Sequence, residues 1–243
     1  MTLIRQSVQF DKKFLDPDAI KTINQLNKSG YEAYLVGGCI RDLILGYEPK
    51  DFDIVTNATP EQVKKIFKRS RIIGRRFKLV HVLFSARKFI EVATFRSNKI
   101  NKTSTKGMVL RDNYYGSLKD DVFRRDFTIN GLYFDIKKSE VIDFVDGLND
   151  LKELQINMIG NPSERFEEDP VRMIRAVRFK VKLSAKIDKK LNNIIIKNSY
   201  LISNVPPARL YEEVIKLFHN ENSLTIFREL SNLGILKYLF SQT

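Results

Sequence analysis

In the first half of the chain, apolar residues alternate over short runs broken by glycine and polar turns; in the second half they recur every three or four positions. The first pattern suits half-buried strands and the second amphipathic helices. Ile20, Ile23 and Leu26 predict a helix over 18–29, closed by Gly30. "YEAYLVGG" reads as a strand entering a glycine turn, "RDLILG" as a short helix ending at Gly46, and "DFDIVT" as the next strand. "TPEQVKKIF" predicts a helix with Thr59 as N-cap and Pro60 in its first turn. "KLVHVLF" and "KFIEVATF" predict strands, Arg96 to Gly107 a polar loop, and "FTINGLYFDIKKSEVIDFVDG" a helix start followed by a hairpin. Further on, Val171, Ile174, Val177 and Val181 keep helical spacing. The expected fold is α+β, with residues 1–147 forming a mixed β-sheet with helices and residues 148–243 all-helical.

Composition narrows the partners. With 43% hydrophobic residues the chain can bury a real core, which excludes a disordered tail. Its 42 Lys and Arg against 29 Asp and Glu leave a net charge of +13. That favours a polyanion, nucleic acid first and an anionic membrane surface second. Abundant Lys and Asn are also what a biased genome composition gives. No run approaches the roughly 18 apolar residues of a spanning helix; of the two polyanions, nucleic acid is the expected partner and no membrane partner is expected. "MTLIRQSVQFDKKF" lacks the apolar core of a signal peptide. The single cysteine, Cys39, has no disulfide partner in the chain, and a reducing, cytoplasmic setting is expected.

Candidate chemistry centres on "LVGGCIRDLILGYEPKDFDIVTNA". On a strand, Asp51 and Asp53 share one face while Phe52 turns to the core. Two carboxylates on one face suit Mg²⁺ held jointly with substrate phosphates, the arrangement of metal-dependent phosphoryl or nucleotidyl transfer. A lone DxD is more often a solvated turn. The preceding Gly37 and Gly38, which let backbone amides approach an anion, and Arg41, which can clamp a phosphate, shift that balance. Glu91 can face the pair from a neighbouring strand; by spacing alone it is equally an exposed strand residue. His81 reads as a hydrogen-bonded residue of an apolar strand, His219 has no supporting context, and Cys39 packs behind the turn. Asp169 before Pro170 reads as an N-cap, with Arg172 one turn on. Arg175 and Arg178 continue a basic face opposite Val171, Ile174 and Val177, which is equally the pattern of an ordinary amphipathic helix.

"LVGGCIRD" followed by "DFD", then "RRDFTINGL", then "EDPVRMIRAVRF" resembles, in order and spacing, the nucleotidyltransferase motifs of the class II poly(A) polymerase and CCA-adding enzyme superfamily. The likeness runs from about Ala33 to the C-terminus. It implies a catalytic head followed by a helical neck and partial body that selects nucleotide and binds RNA. It implies catalytic roles for Asp51, Asp53 and Asp126, and a Mg²⁺ or Mn²⁺ site at Asp51 and Asp53, with Glu91 as the added candidate. It further implies nucleotide contacts from Gly37, Gly38, Arg41, Arg125, Asn130, Asp169, Arg172, Arg175 and Arg178, with Asp169 and Arg172 reading the adenine edge. Arg124 joins Arg125 as a phosphate or primer contact, and Asp126 to Asn130 also suit a helix cap. "IIGRRFKLVHVLF", "GMVLRDNYYGS" and "NVPPARLYEEVIKLF" resemble the bacterial poly(A) polymerase branch. Tyr114 or Tyr115 is a candidate to stack on a base. Two departures stand out: the polar loop at Arg96 to Gly107 is short for that branch, and relatives continue past "PPARLYEEV" through further helices and a basic tail. The expected activity is addition of AMP from ATP to an RNA 3′ end. CCA addition to tRNA, or RNA binding by a vestigial head, are the alternatives.

Overall fold

The computed structural model describes residues 3–74, 77–97 and 115–240. Most of the polar stretch from Arg96 to Gly107, most of "GMVLRDNYYGS", and Tyr114 lie outside the described residues. The described chain divides into two compact units, one ending at Leu148 and the other beginning at Asn149.

The first unit is built on one mixed sheet. Its strands are β1 (Ile4–Ser7), β2 (Ala33–Val36), β3 (Asp53–Thr56), β4 (Ser70–Ile73), β5 (Leu79–Leu83), β6 (Phe89–Thr94), β7 (Leu132–Asp135) and β8 (Glu140–Asp143). They lie in the order β1-β8-β7-β2-β3-β6-β5-β4, and among the described residues β3 and β6 form the parallel pair. The unit also holds α1 (Pro17–Lys28), α2 (Gly38–Ile44), α3 (Pro60–Ile66) and α4 (Leu118–Arg124), of which α1, α2 and α3 pack against the sheet. Asp16 caps α1 through Asp18 and Ala19, and Thr59 with Gln62 forms a capping box at α3.

Strand alternation places the site. Ile54 on β3, Val80 and Val82 on β5, and Ile90 and Val92 on β6 are buried. Each such side chain contributes roughly 1.5–3 kcal/mol. The intervening residues, Asp53, His81 and Glu91, fall on the other face. Parallel pairing sets Asp53 opposite Glu91, and antiparallel pairing sets His81 opposite Glu91, so the three form one row across three strands.

The described part of the second unit is helical. α5 (Gly147–Lys152) carries the chain across the division, followed by α6 (Pro162–Glu168), α7 (Val171–Lys182), α8 (Lys189–Asn198), α9 (Pro207–Phe218), α10 (Ser223–Asn232) and α11 (Leu236–Leu239). The α+β class expected from the sequence is therefore found. Among the described residues, no helix is long and apolar enough to cross a membrane.

Some boundaries differ from the sequence expectation. β3 begins at Asp53, so Asp51 precedes the strand; the exposed-buried-exposed order of Asp51, Phe52 and Asp53 nevertheless holds. β1 and β4 were not expected. Both are edge strands, and β1 is exposed throughout, so neither carries the apolar alternation that betrays a strand. α4 starts at a capping box between Ser117 and Asp120 rather than at an apolar stripe.

Candidate active site

The acidic row opens onto a cavity of about 470 Å³. Asp51, Asp53 and Glu91 line it together with Lys50, Arg87 and Lys88. Asp53 meets water on the cavity side and protein on the others. Burial, then the charges of Glu91 and Asp51, push its carboxyl up to about 6, against the opposing pull of Arg125. Glu91 is half-buried and faces His81 across the β5–β6 ladder, with Nε2 to Oε2 at 3.5 Å. The His81 ring stacks on Phe89 at 3.9 Å between centroids. This is an all-oxygen donor set with mutual repulsion, the setting that a hard divalent cation relieves. Among the described residues no three His, Cys, Asp or Glu side chains converge closely enough to hold an ion unaided. A cation completing its coordination with substrate phosphates and water fits that arrangement.

The glycine turn ends β2 beside this row. Gly37 has φ +78° and ψ −129°, a region essentially reserved for glycine. Its amide donates to the Leu132 carbonyl at 3.1 Å. The expectation that Gly37 offers an anion its N–H is thereby corrected, because the sheet has claimed that donor. What Gly37 provides is space: a Cβ there would stand 3.3 Å from Arg125 Nη1, and one on Gly38 would stand 3.5 Å from Arg41 Nη2. Gly37→Ala is expected to destabilise the fold by about 1–3 kcal/mol and to displace the Arg125 guanidinium. A lower melting temperature together with a raised nucleotide KM would register both effects. Cys39 lies behind the turn as expected, its Sγ donating to the Val36 carbonyl, and burial pushes its thiol up to about 12.

Arg41 is almost fully buried. Its Nε donates to Asp42 at 2.8 Å and its Nη1 to Asn130 Oδ1 at 2.7 Å. Asn130 Nδ2 donates in turn to Asp126 Oδ1 at 3.1 Å, and the Phe127 amide donates to the same oxygen at 2.8 Å. As folded, Arg41, Asn130 and Asp126 thus form an internal strut beneath the turn. Neither the helix cap expected of Asp126 to Asn130 nor the phosphate clamp expected of Arg41 describes this geometry: the short helix Thr128–Asn130 has Phe127 at its N-cap position and no side-chain cap hydrogen bond, and Arg41 has a carboxylate and an amide oxygen within reach inside the fold. Arg124 and Arg125 line a second cavity of about 220 Å³ with Arg96, Asp121, Val55 and Ala93.

The chain's residues 33–157, just over half its length, match the model of the poly A polymerase head domain. The chain belongs to this family. Residues 186–243 match a second model, the probable RNA and SrmB-binding site of polymerase A. Poly(A) polymerase I of Salmonella typhi is 46% identical over 99% of this chain and 53% of its own length. The CCA-adding enzyme of Lactobacillus delbrueckii subsp. bulgaricus is 37% identical over 89% of this chain and 54% of its own. The chain spans about half the length of the curated relatives it matches. Among solved structures, the Bacillus stearothermophilus CCA-adding enzyme in complex with CTP superposes with TM-score 0.81. It is 32% identical, over 92% of this chain and 54% of that one. A CCA-adding enzyme with ATP gives 0.78 at 26% identity, over 99% and 57%.

The stretch "EDPVRMIRAVRF" lies in the helical unit, where the structure corrects one reading. Asp169 does not cap α7; it closes α6, its amide donating to the Arg165 carbonyl at 3.2 Å, and α7 begins at Val171. Its carboxylate pairs instead with Arg209 on α9. A charge-assisted bond of that kind outcompetes a neutral cap. Arg172 Nη1 donates to Glu168 at 3.0 Å and to the Arg165 carbonyl at 2.7 Å. Val171, Ile174 and Val177 are buried as expected. Arg175 and Arg178 converge on Glu213 of α9, each at 3.5 Å. Sequence reasoning singled out neither Arg209 nor Glu213, yet their four-residue spacing places both on one face of α9.

Glu213 is buried. Burial raises its carboxyl, but the Lys216 hydrogen bond and the Arg175 and Arg178 charges outweigh that and hold it below the usual range. A depressed carboxyl stabilises the fold above its unfolded pKa, about 4.3, and loses that contribution as pH falls through the folded value. Glu213→Gln is therefore expected to be destabilised by about 1–3 kcal/mol at pH 7. Melting curves taken at falling pH should show the gap to wild type closing below about pH 4.

Proposed function

We propose that the chain catalyses template-independent transfer of AMP from ATP to the 3′ end of RNA, releasing pyrophosphate. The observation that carries the chemistry is the row of Asp51, Asp53 and Glu91 at the mouth of a cavity beside a glycine turn. In this reading Asp51 and Asp53, joined by Glu91, hold Mg²⁺ or Mn²⁺, which when bound lowers the pKa of the RNA 3′ hydroxyl and balances the charge of the leaving pyrophosphate. Arg125 and Arg124 meet the phosphates. Arg125 sits against Gly37, and the missing Cβ is what lets it do so. The Asp126–Asn130–Arg41 strut fixes the turn and offers Asn130 to the sugar. Arg172 and Asp169 read the base edge; Arg175 and Arg178, held by Glu213, keep positive charge along α7 for triphosphate or primer.

The choice of AMP rests on the greater similarity to poly(A) polymerase I, 46% over nearly the whole chain against 37% over less of it for CCA-adding enzymes. RNA 3′-end processing in the cytoplasm is the setting this reading implies. The test is incubation of the purified protein with labelled ATP and CTP, one generic RNA and one tRNA lacking its terminal CCA. A-tails on the generic RNA are expected. Addition of CCA restricted to the truncated tRNA would replace this reading with CCA synthesis. RNA binding with no incorporation would reduce the head to a vestige.

A further inference from the structure

We infer that Tyr133 and Asp121 are positioning residues that aim the Arg125 guanidinium at the glycine turn and so set the affinity of the head for the phosphates of the nucleotide. The inference rests on the reading of Arg125 as a phosphate contact.

Arg125 is the residue that closes α4, a place from which a long basic side chain ordinarily reaches into water. Here it folds back. Nε donates to Tyr133 Oη at 2.7 Å, and Nε and Nη2 reach Asp121 Oδ2 at 3.3 and 3.1 Å. Tyr133 Oη donates to the same carboxylate oxygen at 2.7 Å, closing a three-membered ring of hydrogen bonds. The guanidinium carbon lies 5.1 Å from the centroid of the Tyr133 ring. Asp121 comes from α4 and Tyr133 from β7, so two separate elements grip one planar group. Two of the three guanidinium nitrogens are held on that side, and the third, Nη1, stands over Gly37.

The support is itself rigid. Tyr133 is fully buried, on a strand paired with β2 immediately before the turn, and Val36 is its cross-strand partner. Asp121 is buried too, and its other oxygen accepts the Arg96 amide at 3.2 Å. Burial by itself would lower the pKa of Arg125, but Tyr133 and Asp121 outweigh it and raise it. An ion pair to Asp121 by itself would fix one edge of the plane and leave its tilt open; the Tyr133 hydroxyl at Nε removes that freedom. Val55 and Ala93, which wall the adjoining cavity, lie two residues beyond Asp53 and Glu91 on the same strand faces. That places the guanidinium's cavity about 7 Å along the strands from the acidic row, a spacing a phosphate chain can bridge.

The test compares wild type, Tyr133→Phe, Arg125→Lys and the double variant, with Asp121→Asn as a second probe of the same support. Melting curves establish that each is folded. KM and kcat are measured for ATP, and inhibition constants for adenosine, which carries base and sugar without phosphates. Tyr133→Phe is expected to raise the KM for ATP roughly tenfold, with kcat little changed and adenosine inhibition unaltered. Asp121→Asn should do the same. In the Arg125→Lys background, Tyr133→Phe should add almost nothing, because the lysine has no fork to aim. Equal losses for ATP and adenosine, or effects that multiply in the double variant, would overturn the inference and leave Tyr133 a packing residue. Arg125→Lys with an unchanged KM for ATP would instead overturn the reading of Arg125 as a phosphate contact, and the inference with it.

Discussion

Asp53→Ala is expected to lose nucleotide incorporation by on the order of a thousandfold while melting no lower than wild type. The loss follows from the metal reading: charge stabilisation by a bound cation is worth several kcal/mol, and each ~1.4 kcal/mol is tenfold in rate. The retained stability follows from the fold. The carboxyl of Asp53 is pushed up to about 6 by burial and by Glu91 and Asp51, so the folded protein holds this proton more tightly than the unfolded chain does. Such a group destabilises the fold above about pH 6, and the penalty disappears below the ordinary carboxylate range. The side chain is open to the cavity, so solvent screening keeps that penalty small, about 1 kcal/mol or less. Phe52 remains in the core, so removing its neighbour leaves no void. The variant should melt at or slightly above wild type at pH 8, and the two curves should converge near pH 4. Added Mg²⁺ or Mn²⁺ with ATP should raise the wild-type melting temperature and leave that of the variant unmoved. Near-normal turnover by Asp53→Ala would remove the acidic row from the chemistry.

The acidic pair was readable because strand alternation is a local rule, and Asp51, Phe52 and Asp53 obey it even where the first two lie before the strand. The glycine turn was readable because two adjacent glycines after an apolar run have few other uses. Glu91 could be named but not placed, since its alignment with Asp53 depends on β6 pairing parallel to β3, and register between distant strands is not written in either strand. Tyr133 was invisible for a different reason. Within "GLYF" a tyrosine between apolar residues reads as core, and only the return of Arg125 gives its hydroxyl a task. Asp169 misled because Asp-Pro is a helix-start signal; a cation forty residues away, Arg209, took the carboxylate that the local rule assigned to the cap. Local rules hold where no stronger long-range partner competes, and charged residues are where such partners arise.

The same correction sharpens the test of base choice. If Asp169 and Arg172 read the adenine edge, Asp169→Asn should erode discrimination between ATP and the other triphosphates more than it weakens triphosphate binding. On that reading the pair meets the base and the phosphates have other partners. A lost hydrogen bond involving a charged group is worth about 1.5–3 kcal/mol, or roughly ten- to hundredfold in selectivity. Because Asp169 does not cap α7, the variant leaves that helix start intact. What it weakens is the pair with Arg209, so Arg209 must be watched as well. Arg172→Ala is the companion probe. It removes the other half of the base edge and leaves Glu168 without its partner on α7, while the pair between Arg165 and Glu168 persists. Values of kcat/KM for ATP, CTP, GTP and UTP in both variants, compared after matching melting temperatures, decide the matter. A shared loss of preference for ATP is expected, the two variants converging on similar ratios because each breaks the same recognition. Unchanged ratios among the four nucleotides would make Asp169 and Arg172 a structural link between α6, α7 and α9, and base selection would have to be sought elsewhere.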